Sequence, residues 1–278
     1  MSRYLCVGSL FAFVAGAQVY ITTGETDRFF AWTIKSHLTA AFLGAMYWGA
    51  VALLALSARS RYWASARIGA FGAEVLMPLL LASMLLDFDA LNTDRPGFIP
   101  AATAWAFLVV YAGLPVVFLA VFFVQRRVTG GNPRQLALMP VWISAALALY
   151  AVALVGLGIA LFAAPTRADA VWPWPLTAIG GRAIGSFLVA TGVVMALGVR
   201  ERDWERAEAM TLALPVLAAL ELVALARYGG EVDWSTPTAW VYVAGVVGVF
   251  AVGAYGASRV FAVARKAKAV PARPAPSG

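Results

Sequence analysis

The chain holds one cysteine, one histidine and few charges, and each scarcity excludes a class of chemistry. A lone Cys6 makes no intramolecular disulfide and no cysteine-based metal cluster. With His37 as the only histidine, a haem held by two histidines and a histidine-built zinc or iron site are excluded too, so no cofactor is expected. Charged residues are only 13% of the 278, and the loops between apolar runs are too short to contain an inserted soluble domain. Phosphate-binding glycine loops, H-E-x-x-H and G-x-S-x-G are missing from any suitable context.

Apolar length is what the chain has in abundance. Hydrophobic residues make up 62% of it and the mean hydropathy is +0.80, too apolar for a soluble fold of this size to hide. The runs are of roughly twenty residues, the length at which a helix crosses a hydrocarbon core of about 30 Å. Eight spans are read, at about 4–22, 37–58, 70–91, 102–125, 138–163, 180–199, 208–228 and 238–261. Arg3 ahead of an apolar stretch with Ala15-Gly16-Ala17 resembles a cleavable signal, but the first span is read as retained because it has a counterpart in a repeat.

That repeat rests on four matches in order. Arg59-x-Arg61-x-Trp63-x-x-Ala66 recurs as Arg200-x-Arg202-x-Trp204-x-x-Ala207. Trp32-Thr33-Ile34 answers Trp174-Pro175-Leu176, Thr103-Ala104-Trp105 answers Thr238-Ala239-Trp240, and Ser9-Leu10-Phe11-Ala12 answers Ala148-Leu149-Tyr150-Ala151. Pro78 and Pro215 lie at similar depths in the third and seventh spans and are the candidate helix kinks. The expected fold class is therefore an all-α integral membrane protein of eight transmembrane helices in two parallel four-helix pseudo-repeats, 1–130 and 131–264, with a flexible basic tail at 265–278. A seam between the repeats is the expected place for a substrate path.

Basic residues set the orientation. Arg3, Arg59, Arg61, Arg67, Arg126, Arg127, Arg134, Arg200, Arg202, Arg206, Arg259, Arg265, Lys266, Lys268 and Arg273 fall on one side, against Arg28, Lys35, Arg95, Arg167, Arg182 and Arg227 on the other. By the positive-inside rule both termini are cytoplasmic, in a cell (inner or plasma) membrane. The net charge of +7 then serves orientation, with no nucleic-acid partner, and the tail Arg265–Gly278 is expected on anionic lipid headgroups. Arginine far outnumbers lysine beside abundant alanine and valine, the usage of a GC-rich bacterial genome. Trp32, Trp105, Trp172, Trp174, Trp234 and Trp240 sit near outer helix ends and are read as interfacial anchors. Gly181-x-x-x-Gly185 marks a close helix contact.

Ionisable groups inside hydrocarbon cost about 2.5–3.5 kcal/mol each on insertion scales, so those present are the candidates for function. They are Glu221, with Arg182 as its expected partner; Glu74, expected to snorkel or pair with Arg67; and His37 at the outer start of the second span. Two outer acidic pairs, Glu25/Asp27 and Asp87/Asp89, carry a weak signal for a divalent metal on a phosphate. Three functions are weighed. The best reading is a carrier or permease-like protein for a small lipophilic or amphipathic substrate. The alternatives are a non-catalytic scaffold or accessory subunit, partnered by another membrane protein or its own copy, and an outer-face metal-dependent enzyme on lipid-linked phosphate.

Overall fold

The structure, a computed structural model, describes residues 1–60, 62–95, 97–125, 137–168 and 171–269. Its eight long helices are α1 (Ser2–Tyr20), α2 (His37–Arg59), α3 (Trp63–Leu86), α4 (Phe98–Gln125), α5 (Val141–Ala163), α6 (Ala178–Glu201), α7 (Glu208–Tyr228) and α8 (Pro237–Ala269). All eight are long and apolar enough to span a membrane, and among the described residues the only β contacts are two isolated bridges. With an even number of long helices, the loops α2–α3 and α6–α7 lie at one end of the bundle, the terminal side, and the loops α1–α2, α3–α4, α5–α6 and α7–α8 at the other, the far side.

Two spans differ from expectation, one of them at both ends. α3 begins at Trp63 and not near 70, because Ala64, Ser65, Ala66 and Ile68 are buried and Arg67 finds a carboxylate, so the segment needs no lipid to be helical. The same helix stops at Leu86; the acidic stretch after it forms two short 3-10 turns, Phe88–Ala90 and Asn92–Asp94. α8 continues to Ala269, so the first residues of the expected flexible tail extend a helix, while 270–278 lie outside the described residues. Of the orientation-setting arginines, Arg61, Arg126, Arg127 and Arg134 also lie outside them.

Four helices are inner and four outer. The share buried is 67% for α2 and 61% for α6, against 22% for α4 and α5 and 11% for α8. α1 packs on α2 as α5 packs on α6; α2 packs on α7 as α6 on α3; α3 packs on α4 as α7 on α8. Local features follow the same scheme. The Ser36 hydroxyl accepts from the Thr39 N–H (2.9 Å) and Thr177 accepts from the Gly180 N–H (3.2 Å), the same N-cap at the start of α2 and of α6. Asn92 N–H donates to Ala31 O (2.9 Å), and Asp233 N–H to Pro173 O (3.1 Å), tying each far-side loop to the one after the next helix pair.

Glycine permits the tightest of these contacts. A Cβ on Gly185 would stand 2.6 Å from Gly158 O of α5, and one on Gly44 would stand 2.8 Å from the Tyr20 backbone of α1. The expected close contact at Gly181-x-x-x-Gly185 is therefore present, between α5 and α6.

At the centre, α2 and α3 meet α6 and α7 around a cavity of only about 80 Å³ with an apolar lining. Its wall pairs Met46 with Phe187, Gly49 with Ala190, Leu53 with Val194, Gly69 with Met210 and Leu76 with Leu217, all at one separation in sequence. On the terminal side, Glu201 of α6 is buried and ion-paired with Arg67 of α3 and with Arg206 (3.2 Å).

Candidate functional site

The roomy space is elsewhere. A cavity of about 600 Å³ opens among α5, α6, α7 and α8, with Phe42 and Met46 of α2 closing its inner wall. At the seam, where a path is expected, the space is the smaller of the two, about 80 Å³ between interlocking side chains. Toward the terminal side α5 and α8 touch, through Trp142 against Tyr255 (ring centroids 5.0 Å) and the Tyr150 hydroxyl, which donates to Gly245 O (3.2 Å). Gly248 makes room for that tyrosine, since a Cβ there would fall 1.9 Å from its hydroxyl. Tyr150 lines the space where the two helices touch, and the loop residues Val171, Trp172 and Pro173 line it as well. The rim residues Leu149 and Val241 are each 71% exposed, so the cavity opens sideways, between α5 and α8, onto the surface these helices turn to lipid.

Glu221 lies on the wall, seven residues before the end of α7 and so about 10 Å inside it at 1.5 Å per residue. It is 3% exposed. Its Oε2 accepts from the Tyr242 hydroxyl (3.1 Å) of α8, while Oε1 is buried with no hydrogen-bond partner. Among the described residues no cation forms an ion pair with it. Beside it, four aromatic rings form a cluster: Trp172 stands 5.0 Å from Trp174 and 5.7 Å from Phe42, and Tyr242 stands 5.3 Å from Trp174. Trp174 Nε1 donates to Thr39 Oγ1 (2.9 Å), but the buried Nε1 of Trp172 has no acceptor. A carboxyl, an indole N–H and a ring cluster in an otherwise apolar chamber can fix the polar head of a ligand whose body is greasy.

The other candidates are placed apart from this cavity. Arg182 does not reach Glu221; its guanidinium is ion-paired with Asp87 at the end of α3, because both groups lie at far-side helix ends and Glu221 lies deeper. Glu74 accepts from the Tyr4 hydroxyl of α1 (2.5 Å) and not from Arg67, which Glu201 takes. His37 is at the surface, stacked on Tyr228 (5.7 Å), with Nδ1 3.2 Å from Glu231. That same carboxylate accepts from the Ser36 hydroxyl (2.6 Å) and from the backbone N–H of His37 (3.0 Å), closing the N-terminus of α2. Pro78 and Pro215 are inside α3 and α7, and neither lines a cavity described above.

Arginines engage three of the four acids in the candidate metal pairs. Glu25 pairs with Arg28 (3.1 Å), Asp27 with Arg95 (3.3 Å) and Asp87 with Arg182; Asp89 is exposed. No group of three or more His, Cys, Asp or Glu stands together among the described residues. The tryptophan belt is halved: Trp105, Trp234 and Trp240 are exposed, but Trp32, Trp172 and Trp174 are packed inside. Helix-end position in sequence does not say which way an indole turns.

Sequence reasoning missed Tyr242, Trp172, Phe42 and Tyr150 as site residues. A signal existed for Tyr242. The Thr-Ala-Trp match aligns it with Phe107, so a hydroxyl-bearing ring stands where the matching position has a plain one. In the first four helices the matching space is filled: Phe11 packs on Phe107 (4.8 Å) and Tyr111 (5.6 Å), and the Tyr47 and Tyr111 hydroxyls meet at 2.5 Å. No family model, curated protein or solved structure matches the chain.

Proposed function

We propose that this protein binds and carries a small amphipathic molecule, which enters the second half of the bundle sideways from the bilayer and places its polar head at Glu221. The observation that carries this reading is the 600 Å³ cavity, whose rim is apolar and exposed while its depth holds a buried carboxyl with a free acceptor. Burying an unpaired carboxyl is costly unless something uses it. A sugar or inorganic ion would meet too few polar groups on these walls to replace its water.

The rest of the setting is proposed on the same footing. The chain sits in a cell membrane, with both termini cytoplasmic, as two parallel repeats of four helices. The matched helix pairings, N-caps and seam residues support the duplication, and the basic residues of the terminal side support the orientation. Basic residues from Arg265 onward suit an anionic leaflet on that side.

Closing the side entrance tests the reading. Leu149→Trp sets an indole across the gap between α5 and α8 without touching Glu221. Purified protein in nanodiscs is expected to be stabilised by one or more members of a panel of tritiated or fluorescent amphiphiles, and Leu149→Trp is expected to slow their association by about tenfold or more. Unchanged association would contradict lateral entry, and no binding by any amphiphile would contradict the site.

A further inference from the structure

We infer that the amphiphile is a lipophilic organic cation, an alkyl- or arylammonium. This rests on the cavity being a ligand site, and it adds the sign of the charge. Among the described residues no arginine, lysine or histidine lines the cavity, so a fatty acid, a phosphate or a sulfate would enter without a countercharge. Glu221, the one carboxyl on the wall among the described residues, has no cation paired with it among them: Arg182 is held by Asp87, and Arg227 lies over the rings of Tyr20 and Tyr228, at 5.9 and 5.0 Å. An incoming ammonium supplies the charge that the ionised carboxylate lacks.

The rings favour the same class. Phe42, Trp172 and Tyr242 all line the cavity and cluster within 6.5 Å of one another, on the side where Tyr242 holds Glu221. A carboxylate beside clustered aromatic faces is the arrangement that attracts an organic cation, by charge and by the ring quadrupoles together, and the attraction grows when water is excluded. A neutral alcohol would use the Oε1 acceptor and gain nothing from the rings beyond contact. The greasy remainder of the cation then lies along Leu154, Leu157 and Val246 toward the rim.

The experiment compares three tritiated probes of equal chain length on the full-length protein in phosphatidylcholine vesicles, with partition into protein-free vesicles subtracted. They are an alkyltrimethylammonium, its uncharged isostere with tert-butyl replacing trimethylammonium, and an alkyl carboxylate. The cation is expected to bind at least about tenfold more tightly than its isostere, with no saturable binding of the carboxylate. Glu221→Gln, nearly isosteric, is expected to abolish that preference and leave the isostere's affinity unchanged. Trp172→Leu is expected to weaken the cation selectively, which keeps the test open should the glutamine variant fail to fold. Equal binding of cation and isostere, or a preference that survives Glu221→Gln, overturns the cation assignment and leaves the ligand site standing. Absence of saturable binding for all three probes overturns both.

Discussion

A chain carrying Leu188→Tyr and Val246→Tyr together is expected to bind no amphiphile, while unfolding at or above the temperature of the parent protein. The first four helices show why. Tyr47 and Tyr111 join hydroxyls at 2.5 Å and, with Phe11 and Phe107, fill the space between α1, α2 and α4. The residues at the matching separations in the second half are Leu188, Val246, Tyr150 and Tyr242. Two of the four positions, Leu188 and Val246, are aliphatic, and all four line the cavity. Tyrosine at both buries two rings against existing apolar walls, and filling a void of this size adds stability on the order of 1 kcal/mol or more. The usual penalty for enlarging core residues arises where no room exists, and here there is room. Thermal unfolding in mild detergent, alongside equilibrium binding in nanodiscs, checks both halves of the expectation. Retained binding would place the site elsewhere.

Glu201→Ala is expected to do the opposite, removing about 3–5 kcal/mol of stability while leaving ligand affinity in the folded protein unchanged. Glu201 joins the two halves on the terminal side. Its side chain is 4% exposed and pairs with Arg67 of α3 and Arg206 in the turn after α6, which are 26% and 14% exposed. Truncating the acid removes a carboxylate that both guanidinium groups share at a site largely shielded from water. Loss of one partner is the costly case for a buried ion pair, since the remaining charges keep their desolvation penalty. Glu221 lies about 20 Å along α7 from the start of that helix at 1.5 Å per residue, and the cavity residue on α6 nearest to Glu201, Met195, is about 9 Å from it, so the two effects are separable at the carboxyl end of the site. Equilibrium unfolding in mixed detergent micelles measures the first, and a loss under about 1 kcal/mol would show that the cluster is better solvated than its burial indicates.

The eight spans were legible because burial in lipid requires length and apolarity, and both are local properties of a sequence. Their ends were less so. α3 starts early because Arg67 meets Glu201, a residue from the other half of the chain that no local reading supplies. The buried acid was legible too: Glu221 stood out as too deep for its short side chain. Its partner was not, because depth alone suggested Arg182, while three-dimensional placement gives Arg182 to Asp87 and gives Glu221 the hydroxyl of Tyr242. Trp172 and Trp174 read as interfacial anchors by position, yet they turn inward as part of the site. The cavity itself came from a difference between matched positions, aromatic in one half and aliphatic in the other. Comparing the matched motifs residue by residue points to it, where a search for ionisable groups alone leads to the seam.

The most direct test of a lateral amphiphile site at Glu221 is to map photolabelling. A membrane-partitioning alkylammonium with a diazirine in its chain, irradiated with the protein in vesicles, is expected to leave adducts on the cavity faces of α5 and α8, between 149–157 and 241–249, which excess unlabelled cation suppresses. Adducts spread evenly over the exposed faces of α4, α5 and α8, and undiminished by competitor, would contradict it.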